Sequence, residues 1–131
     1  MTEEREDKRT IGVTPEGEAC LRAIMTTGWF NEDIDVYRLA ISVALVHGLI
    51  KSSSEMIGVG TKWSTAIDEG GKIRSLIIGL SEEPIARPYA YAEALAAAGL
   101  EYLKNHLVDQ HAELSDILKA GEIKVSLWGN V

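Results

Sequence analysis

The sequence predicts a mainly α fold with small β elements. Three observations lead there. Apolar residues recur at helical spacing in several segments. Alternation of the strand kind is confined to short stretches. Helix-start and helix-stop residues stand at the segment ends. The 131 residues, 46% hydrophobic and 25% charged, suffice for one ordinary core or for a small module joined to a second small domain. Cys20 is the single cysteine, so no internal disulfide forms. Residues 1–10 are highly charged and lack the apolar core of a signal peptide. The longest mainly apolar stretch, Leu39 to Ile50, is ~12 residues against the ~20 that cross a bilayer. The expectation is a cytoplasmic protein with no membrane partner.

Residues 1–8 read as a mobile charged tail. In Thr10-Ile11-Gly12-Val13-Thr14, Ile11 and Val13 share one face of a strand, and Thr10, Gly12 and Thr14 the other. Thr14-Pro15-Glu16 is a helix start: the threonine caps, proline suits the first turn, and Glu16 and Glu18 favour the positive end of the dipole. Leu21, Ile24 and Met25 form that helix's apolar stripe, with Gly28 as its stop and Trp29 and Phe30 as a core plug in the turn. A second helix starts at Asn31 or Asp33 and ends at His47-Gly48. It is apolar on more than one face, which places it either at the centre of its own domain or between subunits.

Residues 51–60 read as a linker or loop, and 61–131 as a helical C-terminal domain. A short extended segment (61–67) precedes the turn signal Asp68-Glu69-Gly70-Gly71-Lys72. Helical spacing resumes at Ile73, Leu76, Ile77 and Leu80. Prolines break the chain between Ser81 and Pro88, and the longest helix runs from Tyr89 to about Leu107. In it the small residues Ala96 to Gly99 permit close approach of another helix. A short helix is expected over 112–119. A strand or clasp is expected where Ile123, Val125 and Leu127 alternate with polar residues before Trp128.

Strand, helix, glycine-containing turn and helix follow one another over RTIGVTPEGEACLRAIMTTGWFNEDIDVYRLAISVALVHGL, within residues 9–50. This order resembles the ribbon-helix-helix superfamily and, more loosely, the small E-subunit of bacterial DNA phosphorothioation systems. The resemblance covers about a third of the chain and rests on element order, not on a residue motif. It implies a dimer whose paired strands enter the DNA major groove. The DNA-binding candidates are then Lys8, Arg9, Thr10, Gly12 and Thr14, and the dimerisation candidates Ile11, Val13, Ile34, Tyr37, Ile41 and Leu45.

Two departures weigh against DNA. Gly12 has no side chain with which to read a base. The second helix opens with Asn31-Glu32-Asp33-Ile34-Asp35, where the superfamily grips phosphate. Like charges ~4 Å apart repel by roughly 1–4 kcal/mol at effective dielectrics of 80 to 20, and a helix dipole offers only about half a charge in return. The net charge is −7, and neither half is basic: residues 1–51 carry six basic against nine acidic side chains, the remainder seven against eleven. DNA as a partner is therefore disfavoured by charge.

Catalytic and metal-binding patterns are weak. His106 and His111 are five apart and do not share a helical face. Cys20 has no histidine near it in sequence and reads as a structural thiol. Phosphate-loop, calcium-loop and nucleophile-elbow patterns are missing. Arg87, Tyr89 and Glu93 are a possible small-ligand trio, since helical spacing puts Tyr89 and Glu93 on one side. No cofactor, metal or catalytic residue is expected. The reading is a non-enzymatic, homo-oligomerising protein, which the resemblance implies to be a DNA-associated regulator or accessory of a bacterial defence or mobile-element system. The alternative is an oligomeric protein-interaction module without DNA contact, whose protein partner the sequence does not name.

Overall fold

A computed structural model describes residues 7–49, 58–81 and 85–115. Strand β1 (Thr10–Val13) leads into helix α1 (Pro15–Met25) through Thr14, whose extended backbone and Oγ1 cap the helix by accepting from Gly17 N–H at 2.8 Å. Leu21 and Ile24 form the buried face of α1. The helix stops before the expected Gly28. The hydroxyls of Thr26 and Thr27 turn back onto the carbonyls of Ala23 and Ile24, at 2.6 and 2.7 Å, and satisfy the helix end there. Trp29, expected as a core plug, is 49% exposed; only Phe30 packs against the core.

Helix α2 (Asp33–His47) ends on left-handed Gly48 (φ 58°), a conformation glycine adopts without penalty. It is buried nearly all round because helix α4 (Pro88–Leu103) of the same chain covers it. Gly99 makes that contact possible. A Cβ there would lie 1.9 Å from the Ala40 carbonyl oxygen, so only glycine lets the two backbones meet this closely.

Strand β2 (Gly60–Ser64) pairs antiparallel with β1, Thr10 opposite Ser64 and Val13 opposite Gly60, with an irregularity between Ile11 and Gly12. Two short 3-10 turns, Thr65–Ile67 and Glu69–Gly71, lead into helix α3 (Lys72–Leu80), which buries Ile73, Leu76 and Ile77. The buried carboxylate of Asp68 accepts from Ile73 N–H at 2.7 Å and Arg74 N–H at 3.2 Å, supplying the anchor for the first turn of α3. The long helix is shorter than expected as an α-helix: from Lys104 to Asp109 it widens into a π-helical turn.

One hydrophobic cluster joins the two halves of the chain, with Ile11, Leu21, Tyr37 and Ile41 beside Ile73, Ile77, Leu95 and Leu100. Among the described residues no helix is long and apolar enough to cross a membrane. The expected strand around 123–127 lies outside the described residues, as do most of the 51–60 linker and residues 116–119 of the short helix.

Candidate functional site

The strand expected to read DNA is tied into the fold along both its edges. One edge pairs with β2. At the other, the carboxylate of Glu93, on α4, accepts Gly12 N–H at 3.1 Å and holds Lys8 Nζ at 2.7 Å. The Gly12 carbonyl accepts the Tyr37 hydroxyl at 2.9 Å. Glu93 is 3% exposed, and a cation and an N–H meet its buried carboxylate. Burial, and then the nearby Glu93 charge, raise the Tyr37 phenol far above its ordinary range, so it remains a donor.

Residue by residue, the DNA-binding candidates divide. Lys8 is engaged with Glu93. Gly12 is pressed against β2, where a Cβ would meet the Gly60 carbonyl oxygen at 1.9 Å. Thr14 caps α1. Arg9 and Thr10 are exposed, and the Arg9 carbonyl accepts Thr65 N–H at 2.9 Å. The dimerisation candidates Ile11, Val13, Ile34, Tyr37 and Ile41 are buried in the chain's own core, and Leu45 is half-buried against it.

The structure sets Arg87, Tyr89 and Glu93, the possible ligand trio, to different tasks. The Tyr89 hydroxyl donates to Asp68 at 2.8 Å. Burial and that hydrogen bond push its phenol up to about 12. Glu93 faces Lys8 and Gly12 instead. Arg87 is the N-cap residue of α4, where Asp7 takes over the capping by accepting from Tyr89 and Ala90 N–H at 2.7 and 3.2 Å. Elsewhere, His47 and His106 both stack on Tyr102, at centroid distances of 4.9 and 4.0 Å, while His106 Nδ1 lies 2.9 Å from the Tyr102 carbonyl oxygen. Cys20 is partly buried, and burial raises its thiol. Among the described residues no group of three or more His, Cys, Asp or Glu side chains is placed to hold a metal.

Among the described residues a cleft of about 340 Å³ lies beside Thr14, Glu18 and Lys62, and a larger one of about 610 Å³ lies between the start of α2 and the end of the sheet. Asn31, Glu32, Asp33 and Ile34 form one wall, and Trp63, Ile67 and Glu69 the other; Arg38 also lines it. Trp63 is fixed edge-on against Tyr37 at 4.8 Å, with Lys62 Nζ 5.6 Å from its ring centroid. Lys62 also neutralises Asp33 at 3.5 Å and Glu18 at 3.2 Å. Arg38 meets Asp35 at 3.7 Å and donates to the Ile67 carbonyl at 3.3 Å, while its Nε is buried with no hydrogen-bond partner among the described residues. Glu32 and Glu69 are exposed and form no ion pair among the described residues.

Sequence reasoning found the acidic start of α2 but missed the opposite wall. Trp63, Ile67 and Glu69 lie some thirty residues further on, and only the pairing of β2 with β1 brings them to α2. The isolated aromatic in GTKWS was the available signal. Compared with known proteins, the chain matches no family model, no curated protein and no solved structure.

Proposed function

We propose that this chain is a non-enzymatic protein-interaction module that does not contact DNA. The observation that carries the reading is the employment of Lys8, Gly12 and Thr14 inside the fold. The groove-reading strand of the resemblance needs its outward residues free, and here they pair, pack and cap. The charge at the start of α2 supports the same reading, because Glu32, Asp33 and Asp35 stand where phosphate would have to approach. Since Ile11, Val13, Ile34, Tyr37 and Ile41 fill the chain's own core, contacts with copies or partners fall to other surfaces. Trp29 and Ile78 are exposed large apolar side chains there.

The second reading, a DNA-associated regulator, draws on one feature, the exposed Arg9 and Thr10 side by side at the start of β1. Titrating the protein with labelled random-sequence duplex DNA at low and then rising salt separates the two. The expected result is no binding even at low salt. Binding that weakens steeply with salt, with a slope reduced by replacing Lys8 and Arg9 with alanine, would overturn the proposal.

A further inference from the structure

We infer that the open edge of β2 is the docking site of this chain's own residues 122–128, which add to the sheet as a third strand. The inference goes beyond the interaction-module reading and does not depend on it. Gly12 N–H donates to Glu93 and the Gly12 carbonyl accepts the Tyr37 hydroxyl, so both groups are turned away from β2. The residue opposite Gly12 in the ladder is Thr61. In an antiparallel pair, opposed residues turn their main-chain groups either toward each other or both outward. Thr61 N–H and C=O therefore face the outer edge of β2, and no hydrogen bond meets them among the described residues. Of the five residues of β2, Gly60, Thr61 and Ser64 are exposed. Proteins commonly guard such an edge with an outward lysine. Lys62 is instead folded back onto Glu18 and Asp33, at 3.2 and 3.5 Å, and leaves the edge unguarded.

The occupant follows from sequence and from reach. Outside the described residues, Ile123, Val125 and Leu127 alternate with Glu122, Lys124 and Ser126. A period of two suits a strand with one face covered and the other in water. Beside β2, the apolar three continue the sheet face that carries Trp63, partly buried and edge-on against Tyr37. The turn Lys104–Asp109 that follows α4 packs against α1, and Lys62 of β2 reaches Glu18 of the same helix. Both therefore flank α1, a cylinder about 10–12 Å across with its side chains. The seven steps from Ser115, the last described residue, to Glu122 span up to roughly 23–25 Å of extended chain, enough to pass it. A second copy's β2 fits this edge less well, since GTKWS carries one large apolar residue and no alternation.

The test is NMR of the full, isotope-labelled chain. Cross-strand NOEs are expected between Gly60–Ser64 and residues 122–128. Val125→Pro removes a strand N–H and fixes φ, so it should undo the docking. The Thr61 amide should then exchange with solvent about tenfold faster than in the parent, while Gly12 N–H, held by Glu93, stays slow. Lys124→Ala changes only the water-facing side and should leave both rates as they were.

Absence of the NOEs in the parent would overturn the docking, whether or not the proline variant folds. A Thr61 amide equally fast in parent and variant would overturn it too. Fast exchange at Gly12 as well as Thr61 in Val125→Pro would place the segment in the core and overturn its assignment to the edge. A sample mixing labelled with unlabelled copies shows which copy supplies the strand, and NOEs crossing between copies would overturn docking within one chain.

Discussion

Glu93 and the pair Glu32 and Glu69 show two uses of a carboxylate in one chain. Glu93 is buried, holds Lys8 at 2.7 Å, accepts Gly12 N–H and so fixes the edge of β1. Glu32 and Glu69 are exposed on the walls of an open cleft and hold nothing among the described residues. A charge removed from water must be met within the fold, so the first kind is structural. A charge kept at a cavity mouth costs the fold little and remains free to meet a partner. The comparison teaches that the acidic excess of this chain is not one property: part of it is spent on folding, and part faces outward.

The comparison is sharpened first in the interior, where the largest effects belong. Gly99→Val drives side-chain atoms into the Ala40 backbone and should cost about 3 kcal/mol, the upper part of the overpacking range, as read by urea unfolding. Glu93→Ala leaves the Gly12 N–H without its acceptor, while Lys8, 28% exposed, turns to water. A loss of about 2–3 kcal/mol is expected, and a neutral outcome would break the structural assignment of this carboxylate.

An alkaline titration sharpens it next. The phenols of Tyr37 and Tyr89 are both raised by burial, Tyr89 to about 12. A raised folded-state value means the neutral phenol is favoured in the fold. That contribution is present in full below pH 10, the ordinary tyrosine value, and is lost as pH climbs from there through about 12. Absorbance at the tyrosinate band should show the Tyr37 and Tyr89 phenols titrating late, and Tyr89→Phe should remove one of these contributions. Thr14→Ala should cost about 1 kcal/mol through loss of the α1 cap, seen as a lower urea midpoint with unchanged slope. The smallest effect belongs to Glu32→Gln with Glu69→Gln, whose thermal midpoint should match the parent, consistent with a surface change within about 0.5 kcal/mol. A large stability loss there would show the cleft carboxylates to be part of the fold after all.

Much of the fold was legible in the sequence because its signals are local. Thr14-Pro15-Glu16 marks the start of α1, Gly48 the end of α2, and Asp68 to Lys72 the approach to α3. The small residues before Gly99 announced a close helix contact, although not that its partner is Ala40. What is non-local was not legible. The apolar surround of α2 is equally compatible with a subunit interface and with burial under a later helix, and only tertiary packing brings α4 onto it. The strand signal at Ile11 and Val13 carries no information about which strand pairs with it, and β2 of the same chain does. The early end of α1 comes from threonine hydroxyls that bond back to the main chain, a competition that apolar spacing does not register. Half the cleft was equally hidden, since Trp63 and Glu69 reach α2 only through the sheet.

The most direct measurement of the central claim is an amide NMR titration of the full chain with a short duplex DNA. The account predicts no shift with DNA at Arg9, Thr10, Gly12 or Thr14, whose neighbours in the strand are committed inside the fold. Shifts along Arg9 to Thr14 on adding DNA would contradict it.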